Sequence, residues 1–308
     1  MRATAQRVHR CRRYRRVMQS ETCPPTTAAG AEVAVRGSGT PVLVVHGTPG
    51  GIDVADIMAR FLPSSDFRVV TLSRPGYLGT PLVSEHATLD DEADLYAAVL
   101  DDLGIDRVAV FAWSGGGPAA YRFAVRHPER VRSLVVAAGL TGPWSPPELS
   151  LPERLVGGTT AGAALARAAA RLLPAVVVRL AVSGVSSLRG RSLRHHVAGV
   201  LRDPERRAFV LDLASTGNTS GPHRAGWDAD VRNLGAVDDL GLAGVRAPTL
   251  LVHGTADTDV EPEHSARAAA EVPGAELLSV PGGTHFALWD HPDARSVQAR
   301  VREHLRHH

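Results

Sequence analysis

Apolar residues in this chain fall into short, evenly spaced runs separated by longer amphipathic stretches. Val42-Leu43-Val44-Val45, Arg68 to Leu72, Arg107 to Trp113, Ser133 to Ala138, Ala247 to Val252 and Glu276 to Val280 are β-branched and apolar over most of their length. For Val42 to Val45 and Arg107 to Trp113 that pattern fits buried strands, as in a parallel sheet, and the other runs read as strands. Glu32 to Arg36 alternates instead, as an edge strand does. Between the runs, helical spacing predicts helices over Val54 to Phe61, Leu89 to Leu103, the stretch ending near Arg126, Pro262 to Glu271, and from Asp293 onward. Acidic residues cluster early in the second of these, where they complement a helix dipole. Strands alternating with helices predict an α/β fold with a mostly parallel sheet covered on both faces. From Pro143 to Ala243 the rhythm changes to Ala, Arg and Leu at helical spacing with no buried strand. The chain therefore divides into a core of residues 31–142 and 244–308 and a helical insertion of residues 143–243.

Length and composition narrow the class. At 308 residues the chain can bury a sizeable core, and scattered Gly and Pro argue against disorder, collagen or coiled coil. The net charge of +2 conceals an asymmetry: the first sixteen residues hold seven arginines and no acid, leaving 27 basic against 32 acidic residues elsewhere. Residues 1–30 are read as a basic, disordered extension, and a start at Met18 would remove its arginines. Contact with nucleic acid or an anionic membrane is the competing reading of that segment, but neither aromatic interleaving nor a base-reading element accompanies the arginines. No apolar core follows them, which argues against a secretory signal. The apolar segment Ala161 to Val185 contains Arg167, Arg171, Arg179 and Pro174, which argues against a membrane span. Cys11 and Cys23 both lie in the extension and supply no disulfide framework, so the expected setting is reducing and cytoplasmic.

The candidate chemistry sits where predicted strands end. After the third buried run comes Ala112-Trp113-Ser114-Gly115-Gly116-Gly117, then helical spacing resumes. A strand turning sharply into a helix with serine at the apex strains the serine backbone, and small neighbours are needed for the two elements to approach. A serine hydroxyl becomes a useful nucleophile only when a base takes its proton and a third group fixes the base. Two later loops offer such groups: His253-Gly254-Thr255-Ala256-Asp257-Thr258-Asp259-Val260, and Pro281-Gly282-Gly283-Thr284-His285-Phe286. Ligands gather at such strand ends in parallel sheets. Of fourteen histidines, His285 alone has this setting; His127, His195 and His196 read as surface positions on helices, and His304, His307 and His308 as a frayed terminus.

The serine turn resembles the nucleophile elbow Gly-x-Ser-x-Gly of the α/β-hydrolase superfamily, with Ala112 in place of the first glycine. The resemblance covers about residues 31–142 and 244–308 and implies a cap-bearing serine hydrolase with a helical cap at 143–243. It implies a triad of Ser114, Asp257 and His285, in the chain order of that fold. Asp259 is a rival acid, and Glu261 stands where the family commonly has proline. The loop His46-Gly47-Thr48-Pro49-Gly50 resembles the family's oxyanion loop, which places one donor at Thr48 beside a second at Gly115, with His46 structural. That loop lacks the spacing of a dinucleotide or phosphate cradle, and no His/Asp/Glu cluster fits a metal, so no cofactor is expected. Trp113, Trp144 and Phe286 are candidate pocket walls, or simply core.

The expected function is hydrolysis of a carboxylic ester or related small acyl compound through an acyl-enzyme. A prolyl aminopeptidase-like activity, with Glu148, Glu153 or Asp212 holding the amine, remains open, as do C–C bond and lactone hydrolysis and acyl transfer to other acceptors. A non-catalytic ligand-binding protein on the same fold is the alternative from another class. Specificity in this fold lies in loops and cap, so the pattern does not name the substrate.

Overall fold

A computed structural model describes residues 26–84, 86–146, 159–216 and 218–308. The arginine-rich segment, Cys11, Cys23, Glu148 and Glu153 lie outside the described residues. Strand β1 (Val33–Arg36) leads to β2 (Thr40–Val45), helix α1 (Ile52–Met58), β3 (Phe67–Leu72), α2 (Leu89–Asp102), β4 (Val108–Trp113), α3 (Gly117–Arg126) and β5 (Val131–Ala137). Among the described residues, five helices then intervene: α4 (Thr160–Leu172), α5 (Pro174–Gly184), α6 (Gly190–Arg202), α7 (Pro204–Thr216) and α8 (Arg224–Gly235). The alternation resumes with β6 (Thr249–Gly254), α9 (Glu263–Glu271), β7 (Glu276–Val280), α10 (Ala287–Asp290) and α11 (Ala294–His307).

The seven strands form one sheet in the order β1-β3-β2-β4-β5-β6-β7, parallel except for β1, which runs antiparallel to β3. This is the α/β-hydrolase architecture, with the inserted helices placed before the strand that leads into Asp257. The continuous apolar runs of β2 and β4 are explained by burial on both sides, whereas β7 lies at the sheet edge and leaves Glu276 and Ser279 exposed. Val42, Val44, Ala109, Phe111 and Trp113 face a core shared with α1, α10 and α11, whereas Leu43, Val45, Val108, Val110 and Ala112 face a core shared with α2, α3 and α9. Val178, Val182, Leu193, Val197 and Phe209 of the inserted helices join the first of these cores. Helix α2 begins at a capping box in which Thr88 and Asp91 each bond the other's backbone N–H.

Two histidine placements differ from the sequence reading. His196 is buried and its Nε2 lies 2.8 Å from Asp290 Oδ2, so it faces the core and not solvent. His304 is also buried, its Nε2 donating to the Pro248 carbonyl at 3.0 Å within an α11 that stays helical to His307. Neither partner is near in sequence, and helical spacing cannot distinguish a buried histidine with a distant acceptor from a surface one.

Candidate active site

Ser114 follows β4 directly and holds φ at +54°, a left-handed value that is strained for a residue with a Cβ. The chain turns through Ser114–Gly116 and enters α3 at Gly117. The glycines are required by close approach. A Cβ on Gly115 would overlap Thr48 Oγ1, and one on Gly116 would lie 2.5 Å from the His46 carbonyl oxygen. A Cβ on Gly117 would come 3.0 Å from Gly139 Cα, where α3 passes the end of β5. Elbow and Thr48 loop are therefore packed backbone to backbone.

The remaining candidates converge on the same sheet edge, after β2, β6 and β7. His285 Nδ1 lies 2.8 Å from Asp257 Oδ2, both buried. The Asp257 carboxylate also lies 3.2 Å from His253 Nε2, and its Oδ1 accepts the backbone N–H groups of Asp259 at 2.9 Å and Val260 at 3.1 Å. Burial alone would raise the Asp257 pKa, but His285 and His253 overcome it and hold the carboxyl well below the usual carboxylate range. For His285 burial favours the neutral ring, yet the nearby Asp257 and Asp259 carboxylates outweigh it and raise its pKa above the ordinary histidine value. Asp259 takes the other side of the ring, its Oδ2 3.4 Å from Nε2. Asp257 therefore meets the nitrogen that orients an imidazole, and Asp259 the nitrogen that would exchange protons. Among the described residues, the Ser114 hydroxyl has no hydrogen-bond partner. Catalytic contacts are commonly long before substrate binds.

Trp113 bridges elbow and histidine loop. Its indole N–H donates to the His285 carbonyl at 3.3 Å, and its ring centroid lies 5.1 Å from that of His285. Trp113 and Phe286 are nearly buried, in an aromatic group with Trp289 and Phe209. Trp144 is half-buried among Leu140, Leu234 and Val260, edge-on to Trp227. Asp212 forms an exposed ion pair with Arg60 at 2.5 Å. His46 is fully buried: its Nε2 accepts the Arg74 backbone N–H at 3.0 Å, and Nδ1 donates to the Gly47 carbonyl at 2.7 Å. Burial and the Arg74 charge hold its pKa well below the ordinary value, so it stays neutral.

Sequence reasoning missed a second buried cluster touching the site. Arg74, 1 % exposed, donates to both oxygens of Glu92 at 2.6 and 3.1 Å and to both oxygens of Asp230 at 3.0 and 2.9 Å. It also donates to Thr48 Oγ1 at 3.2 Å, while Thr48 Oγ1 itself donates to Asp230 at 2.5 Å. Glu92 lies on α2 and Asp230 on α8, far apart in sequence. The one local signal was a set of charges at otherwise core-facing helix positions.

The sequence model of the alpha/beta hydrolase fold matches residues 40–292, most of the chain. The chain belongs to the α/β-hydrolase family. Among solved structures, an alpha/beta hydrolase fold protein from Nakamurella multipartita is 42% identical, with a TM-score of 0.88 over 91% of this chain and 97% of that one. Among curated relatives, the 2-hydroxy-6-oxononadienedioate/2-hydroxy-6-oxononatrienedioate hydrolase 2 of Pseudomonas putida is 28% identical over 86% of this chain and 87% of its own length. An uncharacterized hydrolase of Bacillus subtilis, YcgS, is 35% identical over 117 residues, spanning 38% of this chain and 40% of that protein. Among the described residues of this α/β-hydrolase, no helix is long and apolar enough to cross a membrane.

Proposed function

We propose that this α/β-hydrolase is a serine hydrolase of carboxylic esters or related small acyl compounds. The observation that carries the reading is the buried His285–Asp257 pair, 2.8 Å apart, beside a serine strained into a left-handed turn. Ser114 Oγ attacks the carbonyl carbon while His285 Nε2 accepts its proton, and Asp257 holds the ring and stabilises the imidazolium. The backbone N–H groups of Thr48 and Gly115 hold the carbonyl oxygen as it becomes an oxyanion. Collapse breaks the C–O bond, and His285 returns the proton to the departing alkoxide. Water then attacks the acyl-enzyme by the same route, releasing the acid and restoring the serine. The helices between β5 and β6 act as a cap over this edge, with Trp113, Trp144 and Phe286 as its aromatic surroundings.

A second reading has a specific observation behind it. The Pseudomonas putida relative, matched over most of both chains, is a hydrolase of 2-hydroxy-6-oxononadienedioate and 2-hydroxy-6-oxononatrienedioate, which favours C–C bond hydrolysis here. The same nucleophile and base would serve there, with a carbon leaving group accepting the proton. Short p-nitrophenyl esters, small lactones and a 2-hydroxy-6-oxo dienoate should be compared by kcat/KM. The ester reading predicts that esters lead; a dienoate preferred by about tenfold or more would replace it with the second reading.

A further inference from the structure

We propose that Asp230, on the inserted helix α8, is a positioning residue for the oxyanion loop, acting with Arg74 through the side chain of Thr48. This rests on the reading of Thr48 and Gly115 as oxyanion donors.

The cluster is saturated in a way that few surface contacts are. Arg74 spends all five N–H donors: Nε and one Nη2 hydrogen on Glu92, the other Nη2 hydrogen on Asp230 Oδ1, and the two Nη1 hydrogens on Asp230 Oδ2 and Thr48 Oγ1. Asp230 Oδ2 in turn accepts from Arg74, from Thr48 Oγ1 at 2.5 Å and from Tyr77 Oη at 2.7 Å. Tyr96 Oη donates to Glu92 Oε1. Arg74, Tyr77, Glu92, Tyr96 and Asp230 are all buried, so these bonds act in a low-dielectric interior where charge-assisted geometry is stiff.

Thr48 is the member of this cluster that reaches the reaction. Its hydroxyl is held from one side by Arg74 and from the other by Asp230, and it lies against Gly115, where no Cβ would fit. Rotation of the Thr48 side chain would break two bonds in the cluster, so the peptide on which its N–H sits is fixed with it. Arg74 holds the same loop a second time, its backbone N–H bonded to His46 Nε2. Asp230 is delivered by the insertion, not the core. Backbone bonds from Gly226 N–H to the Gly76 carbonyl and from Leu78 N–H to the Pro222 carbonyl fasten that insertion to the segment carrying Arg74 and Tyr77. The inserted helix thus completes the support of the oxyanion loop, and catalytic competence depends on α8 being docked.

The test is a steady-state comparison of the wild type with Asp230→Asn, Thr48→Val and the double variant, each rate divided by the sites titrated with a fluorophosphonate. Loss of positioning should lower kcat about tenfold or more, short of the 10²–10³ lost with a whole oxyanion donor, and leave KM within about twofold. The double variant should be no slower than the slower single one, because both break the same link. Unchanged kcat per titrated site in Asp230→Asn, a change confined to KM, or effects that multiply in the double variant would overturn the proposal. Should Asp230→Asn not fold, Thr48→Val alone decides: it removes a single hydroxyl, and an undiminished kcat refutes the link. Ser114→Ala assayed alongside separates the two layers, since full activity there would defeat the serine-hydrolase reading whatever Asp230 does.

Discussion

At the scale of single residues, the informative feature is an imidazole between two carboxylates. Asp257 meets His285 Nδ1 and Asp259 approaches Nε2, and both raise the histidine's pKa against the opposing effect of burial. A general base works in its neutral form, so kcat/KM should rise with pH through the His285 pKa, on a limb placed above the ordinary histidine value. Asp259→Asn removes one stabiliser of the imidazolium; the acid limb should then move to lower pH, and a pH profile of ester hydrolysis reads this directly. An acid limb that stays in place, or moves up, would show that Asp259 does not act on His285. Asp257→Asn behaves differently, because it removes the group that selects the ring's tautomer, and should lower kcat about 10⁴-fold with little change in KM. The two aspartates are two residues apart in one turn, and only their approach to different ring nitrogens separates their roles. Sequence order could name both as candidates but could not say which nitrogen each would reach.

At the scale of elements, the strand–turn–helix from β4 into α3 shows why small residues are spaced as they are. A Cβ on Gly116 would run into the His46 and Val45 carbonyls, so Gly116→Val forces the elbow and the Thr48 loop apart. Overpacking at such a contact costs about 1–3 kcal/mol, and both the unfolding midpoint and the ester rate should fall; a variant with wild-type stability and rate would contradict the packing account. The core strands were legible in the sequence for a physical reason. A strand buried on both faces needs apolar side chains at every position, and Val42 to Val45 alternate between two cores as that pattern requires. The boundaries shifted by a residue or two, as at β5, which starts at Val131, and the helix expected through Phe61 becomes a 3-10 turn after Met58. The short α10 was not anticipated, because four residues carry too little periodicity to announce a helix.

At the scale of the whole molecule, the inserted helices are bonded to the Thr48 and Asp257 loops and, through Asp290, to the His285 loop. Asp230 reaches the Thr48 loop; Ser187 N–H and Thr258 N–H exchange backbone bonds between the α5–α6 connection and the Asp257 loop; and His196 meets Asp290, which also accepts from Thr284 beside His285. None of these links was legible in the sequence, since they join residues such as Arg74 and Asp230, 156 positions apart, whose pairing leaves no local periodicity. The His196–Asp290 contact is buried, and truncating one partner strands the other; Asp290→Ala should cost about 1–3 kcal/mol of stability, read as a lowered denaturant midpoint. An unchanged midpoint would mean that this tie does not hold the insertion to the core. All of these ties serve one claim, that the molecule assembles an activated serine at residue 114. The most direct measurement is intact-mass and peptide analysis after reaction with a fluorophosphonate, on wild type and Ser114→Ala. The account predicts a single adduct mapped to Ser114, lost together with ester hydrolysis in the alanine variant. Labelling at another residue, or hydrolysis undiminished in Ser114→Ala, would contradict it.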